Sequence, residues 1–140
     1  DIKEDAEIGR IYLPKTMVND LSIKNFKNPS DRDKKVINNA RDLLLKEADY
    51  YYMSAMKGIV HLPFKTARAV IIAAKLYQAI GKRITKNRIS YQAPRVYINK
   101  IEKIIITFKA LFQLRKNLYI KKHNQKLHHS LSKLPDTHLK

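Results

Sequence analysis

Asp1, Glu4 and Asp5 lie within one five-residue stretch, and three carboxylates at that spacing suit a hard cation. Ahead of the breakers Gly9 and Pro14, residues 1–8 read as the last turns of a helix. Four residues advance an α-helix by about 400°, so Asp1 and Asp5 share one face, one turn apart, with Glu4 beside them. Like charges so placed cost a helix about a few tenths of a kcal/mol per pair, and a cation between them removes that cost. Magnesium fits this donor set, since it takes octahedral oxygen ligands, commonly one or two carboxylates completed by water and substrate phosphate. The competing reading is a solvated acidic face with Lys3 and Arg10 as local partners.

Other constellations carry less. His123, His128 and His129 fall in a polar terminal stretch with no rigid frame for a metal, and His61, just before Pro63, reads as structural. No Ser/His/Asp arrangement supports a nucleophile, and no catalytic side chain is assigned. The chain has no cysteine, which excludes disulfides and thiolate metal sites and leaves the redox compartment open.

Helices must position the carboxylates, because no stretch alternates with a strand period over useful length. After Pro14 a short helix is expected over 15–21, and residues 22–29 read as a polar loop. Ser30 is a natural N-cap, with Asp31 and Asp33 favouring the positive end of the helix that follows. Over 31–56 an apolar stripe runs through Val36, Ile37, Ala40, Leu43, Leu44, Ala48, Tyr51 and Ala55. At Tyr50–Tyr52 the aromatic run wraps beyond one face, so at least one ring borders a cavity or the surface. The next helix, 64–80, carries Ala67, Val70, Ile71, Ala74, Tyr77 and Ile80, and ends at Gly81. The last, 95–121, has Ile98, Ile101, Ile104, Ile105, Phe108, Leu111, Phe112 and Leu118 in helical register. The expected organisation is one all-α domain over 1–122 and a basic polar tail over 123–140.

The net charge of +17 is unevenly spread. Residues 1–49 balance ten basic against ten acidic side chains, whereas 50–140 hold nineteen basic residues against only Glu102 and Asp136. Such a half attracts an anionic membrane surface, an anionic substrate or nucleic acid. The plainer reading is a lysine-rich bias on solvated faces. No apolar run approaches the roughly 18–20 residues of a membrane span, so the expected location is cytoplasmic, with peripheral membrane contact at most.

The sequence D-x-x-E-D-x-x-x-G-R-I-Y-L-P from Asp1 to Pro14 resembles the second aspartate-rich motif, and the turn after it, of the squalene/phytoene synthase family. The likeness extends over roughly residues 1–115, through Gly58-Ile59-Val60-His61-Leu62-Pro63, Tyr77-Gln78-Ala79-Ile80 and Arg88-Ile89-Ser90. It implies the isoprenoid synthase fold, a helical bundle around an apolar cavity, of which these would be the C-terminal helices. Asp1 and Asp5 match positions that bind magnesium with a prenyl diphosphate, and Glu4 would support them. Family members also carry a first aspartate-rich motif upstream, on a facing helix, together with an Asn and an Arg before the second motif. The chain opens on the first Asp of the second motif, so it is expected to be the C-terminal half of a prenyl synthase and inactive alone, its missing N-terminal half being a partner.

The reaction implied by the resemblance joins two farnesyl or two geranylgeranyl diphosphates head to head. Magnesium draws off diphosphate, the second prenyl chain attacks the allylic cation, and the C30 or C40 product follows. Arg88 would contact diphosphate, because a guanidinium fork suits phosphate oxygens; the alternative is a solvated arginine. Arg95 is a weaker candidate. Arg10 reads either as a phosphate contact or as a helix-terminal salt bridge, and Tyr77 either as core or as the rim of the substrate cavity. Nothing in the residues reveals use of NADPH. Two rivals stand beside this reading: a degenerate or split remnant of such a synthase, and a basic helical nucleic-acid-binding module whose binding would ignore Asp1 and Asp5.

Overall fold

The structure, a computed structural model, describes residues 1–19 and 21–117, and these are all-α, with no strand among the described residues. The elements are α1 (Ile2–Glu7), α2 (Lys15–Val18), α3 (Ile23–Lys27), α4 (Asp31–Gly58), a 3-10 turn (Ile59–His61), α5 (Phe64–Lys86) and α6 (Lys100–Asn117). The expected tail over 123–140, with His123, His128 and His129, and Leu118 lie outside the described residues. The described residues divide into two compact units: residues 1–48 with 77–99, and residues 49–76 with 100–117.

In the first unit, α1 ends where the sequence says it must. Gly9 takes φ +80, a left-handed conformation that costs glycine nothing, and Arg10 N–H returns to the Asp5 carbonyl at 2.8 Å. Ala6 is fully buried, so α1 turns its Ile2/Ala6 face inward and leaves the acidic residues at the sides.

Residues 22–29 are not the loop expected. They contain α3, whose start is fixed by the Asn25 side-chain oxygen accepting from Ser22 N–H at 3.0 Å and from the Ser22 hydroxyl at 2.6 Å. Phe26, with 1% of its surface exposed, is the apolar anchor that a purely polar reading overlooks. It packs with Ala6, Leu13, Val18, Ile37, Ala40 and Tyr91 in the core of this unit. Lys27 closes the α1–α3 contact by donating to the Glu7 carbonyl at 3.2 Å.

The start of α4 follows the expectation. Ser30 Oγ accepts from Asp33 N–H at 3.1 Å, and the Asp33 carboxylate accepts from Ser30 N–H at 3.1 Å, a reciprocal cap for otherwise unpaired helix donors. Of the anticipated stripe, Ile37 and Ala40 are buried, while Leu43 and Tyr51 face outward; Tyr50 is also exposed.

Helix α5 runs six residues past the expected stop at Ile80, straight through Gly81. A β-carbon at Gly81 would stand 3.1 Å from Leu45 Cδ2, so this glycine serves a close approach to α4 rather than a helix end. Of the expected apolar face, Ala67 and Ile71 are buried, but Val70 and Tyr77 are exposed, Tyr77 by 67%, and Gln78 is buried. The following stretch, 94–99, has no regular secondary structure, so α6 begins at Lys100 and not at 95. Its backbone finds partners elsewhere: the Arg83 guanidinium donates to the Tyr97 carbonyl, and Ile98 is buried.

The second unit has its own core of Met56, Ile59, Ala67, Ile71, Ala110 and Leu114. The buried side of α6 is thus Ala110 and Leu114. The apolar residues read as its stripe, Ile101, Ile104, Ile105, Phe108 and Phe112, are all exposed. No helix among the described residues is long and apolar enough to cross a membrane.

Candidate functional site

Asp1 caps α1 without spending its carboxylate on the helix, since it makes no side-chain capping hydrogen bond. Asp5 N–H donates to the Asp1 carbonyl at 2.8 Å, which sets the two residues one turn apart as their spacing requires. The Asp1 carboxylate stands 3.7 Å from Arg95 Nε, with both side chains more than half exposed. Water screens such a pair, so its weight lies in where it places a guanidinium rather than in stability.

Arg95 reaches Asp1 because the loop after α5 is tied to α4. Arg41, on α4 and only 11% exposed, donates through Nη1 to the Ile89 carbonyl at 2.6 Å. Its Nε and Nη2 both reach Asp42 Oδ1, at 2.9 and 2.6 Å, which fixes the guanidinium plane. Two residues along the loop, Tyr91 N–H donates to Asn38 Oδ1 at 2.9 Å. The Tyr91 hydroxyl lies 3.4 Å from the Phe26 carbonyl, and burial pushes this phenol's pKa up, with the Asp33 charge adding to the effect.

A depression of about 230 Å³ lies within this first unit, lined by Asp1, Arg41, Tyr77, Ser90 and Arg95 among others. It presents one carboxylate, two guanidiniums, two phenols and a serine hydroxyl around apolar side chains of α1, α5 and the loop. A second depression of about 300 Å³ is lined by Asp1, Glu4 and Arg95. Asp5 lines neither. With Arg10 and Tyr12 it borders a smaller one of about 160 Å³, where Arg10 Nη1 donates to the Tyr12 hydroxyl at 3.4 Å.

The sequence-predicted residues are therefore partly assembled. Asp1 and Tyr77 share one depression, Asp1 and Glu4 another, and Asp5 and Arg10 a third. Arg88 is in none of them: it is exposed and occupies the left-handed turn after α5 at φ +48. The guanidiniums that line the first depression are those of Arg41 and Arg95. Arg41 was not singled out from sequence, and nothing local marks it, because its partner Ile89 is 48 residues away. Among the described residues no three acidic or histidine side chains converge on one point. The chain can still offer oxygen donors from Asp1 and Asp5 to a hard cation whose remaining ligands are water and phosphate. That donor set fits magnesium and not a soft metal.

Comparison with known proteins agrees on one family. The squalene/phytoene synthase family model matches residues 1–102. The chain is 35% identical over 88 residues to the 15-cis-phytoene synthase of Enterobacter agglomerans, covering 61% of this chain and 29% of that protein. It is 34% identical over 86 residues to the 15-cis-phytoene synthase of Pantoea ananas, covering 60% and 27%. The bifunctional lycopene cyclase/phytoene synthase of Leptosphaeria maculans is 27% identical over 114 residues, covering 79% and 19%. The chain thus spans less than a third of the length of these relatives. No solved structure gives a significant match. An all-α chain opening on D-x-x-E-D and G-R-x-Y-L-P, matched by the family model over most of its length, belongs to the squalene/phytoene synthase family.

Proposed function

We propose that this chain carries the second-motif side of a prenyltransferase that condenses two prenyl diphosphates head to head. The phytoene synthase names of its relatives favour geranylgeranyl diphosphate and a C40 carotenoid precursor over farnesyl diphosphate and squalene. The observation carrying this reading is the Asp1–Arg95 pair at 3.7 Å, in a depression that also holds Arg41 and Tyr77.

Asp1 and Asp5 would hold magnesium, with Glu4 beside Asp1 as support. When bound, magnesium offsets the negative charge that develops on the departing diphosphate. Arg95 would bind the diphosphate oxygens through its guanidinium once the ligand displaces its loose pairing with Asp1. Arg41, already engaged by Asp42 and the Ile89 carbonyl, orients the loop rather than meeting substrate. Tyr77 would stand at the rim, its ring shielding the apolar end from water. A single acidic motif grips such a cluster from one side only, so a second acidic group from outside these residues completes the proposal. The basic half, 50–140, would favour peripheral contact with an anionic membrane, where prenyl substrates partition.

Calorimetry tests the site directly. Magnesium affinity should rise in the presence of a prenyl thiodiphosphate, and Asp1→Ala or Asp5→Ala should remove that rise. Equal magnesium affinity with and without the thiodiphosphate would count against the assignment.

A further inference from the structure

The second unit contains a depression lined by none of the residues assigned above to the prenyltransferase site. It measures about 380 Å³, within the range of small-molecule sites. Seven of its nine lining residues are apolar, and the other two are Arg68 and Arg115; no acidic residue lines it. The Arg68 guanidinium carbon sits 5.7 Å from the Phe64 ring centroid, within cation–π range. Phe64 itself is 69% exposed, and Leu62 beside it is also exposed.

These features define one class of ligand. An apolar floor accepts a hydrocarbon chain and excludes a hydrated ion. Two guanidiniums without an acidic neighbour select a negative headgroup, and their forks match phosphate oxygens. An exposed phenylalanine next to basic side chains is the pattern of a surface that enters the boundary between headgroups and acyl chains. Residues 118–140 are a poorer occupant on charge: they carry five lysines against one aspartate, and would meet the arginine pair with like charge. We infer that this depression takes one acyl chain of an anionic bilayer phospholipid, with its phosphate held by Arg68 and Arg115 and Phe64 inserted beside it. The inference deepens the peripheral-membrane reading above and rests on it.

The chain contains no tryptophan, so a single introduced one reports its own surroundings. Phe64→Trp is placed at the mouth, and Tyr97→Trp, equally exposed and outside the depression, is the control. Vesicles of phosphatidylcholine and phosphatidylglycerol with brominated acyl chains should quench Phe64→Trp and spare Tyr97→Trp. In the Phe64→Trp background, Arg68→Gln and Arg115→Gln should each weaken vesicle binding about fivefold, the worth of one basic side chain at an anionic surface, and should abolish the quenching. Val60→Trp, made separately to fill the depression, should leave salt-sensitive adsorption intact while removing protection of a spin-labelled acyl chain from aqueous reductant. Adsorption that quenches both tryptophans equally, or neither, would overturn the acyl-chain site while leaving the membrane reading standing. Absence of any vesicle binding would remove both. Monomeric decyl phosphate shifting the Phe64→Trp emission where vesicles do not would overturn the bilayer as source in favour of a free amphiphile.

Discussion

The Arg41 guanidinium donates to the Ile89 carbonyl at 2.6 Å, and this bond ties α4 to the loop that carries Arg95. Removing one side of a partly buried bond leaves its partner unpaired, which costs about 1–3 kcal/mol. Arg41→Ala should lower the unfolding free energy measured in urea by that amount, and the midpoint with it. Arg41→Lys should recover only part of it, because an ammonium cannot reach Asp42 and the carbonyl with the same fork. A midpoint unchanged in Arg41→Ala would show that the loop is held by Tyr91 and Asn38 alone.

Arg95 and Arg88 separate the geometric reading from the sequence reading of the diphosphate contact. A charge-assisted hydrogen bond is worth about 1.5–3 kcal/mol, or roughly ten- to a hundredfold in affinity. Arg95→Ala should weaken magnesium-dependent binding of a prenyl thiodiphosphate by that factor, and Arg88→Ala should leave it nearly unchanged. The reverse order would return the role to Arg88.

These two arginines also mark where sequence reading reaches and where it stops. The D-x-x-E-D helix was legible because its spacing maps directly onto turns of α1, and the Gly9 turn was legible because only glycine takes that φ without cost. The end of α5 and the start of α6 were not. Gly81 reads as a stop until Leu45 is seen 3.1 Å from the position of its missing β-carbon, and that neighbour is remote in sequence. Helix α3 was lost among polar residues because a single phenylalanine shows no period. Arg88 and Arg95 are both basic residues near a turn, and only the folding of the loop onto Asn38 and Arg41 decides which of them meets Asp1.

The cap of α4 gives a stability prediction with a pH signature. Ser30→Ala removes the hydroxyl that accepts from Asp33 N–H, and loss of such a cap costs about 1 kcal/mol. The Ser30 hydroxyl, followed by its backbone N–H, holds the Asp33 carboxyl below its ordinary value of 3.8. A depressed carboxylate contributes stability that is present above the unfolded value and lost as pH falls through the folded one. The difference between wild type and Ser30→Ala should therefore hold at neutral pH and shrink below about pH 3.8. A difference that grows on acidification would show that the cap does not depend on the Asp33 charge.

Helix α6 supports the last prediction. Ile101, Ile104, Ile105, Phe108 and Phe112 follow one another at helical spacing, and each has 47–71% of its surface exposed. Keeping a large apolar side chain in water forfeits about 1.5–3 kcal/mol relative to burying it, and the whole stability of a domain is only about 5–15 kcal/mol. These 140 residues alone should therefore self-associate through that face, or be only marginally stable. They should also fail to condense geranylgeranyl or farnesyl diphosphate in the presence of magnesium, since no three acidic or histidine side chains gather at one point among the described residues. Light scattering behind size exclusion should give a mass above that of a monomer. Phe108→Lys with Phe112→Lys should return it toward the monomer, because a charged face resists burial. Adding a polypeptide with an upstream D-x-x-x-D helix should be the condition under which hydrocarbon product appears. A monodisperse, cooperatively folding monomer that makes product unaided would contradict both the reading of the α6 face and the need for a second acidic motif.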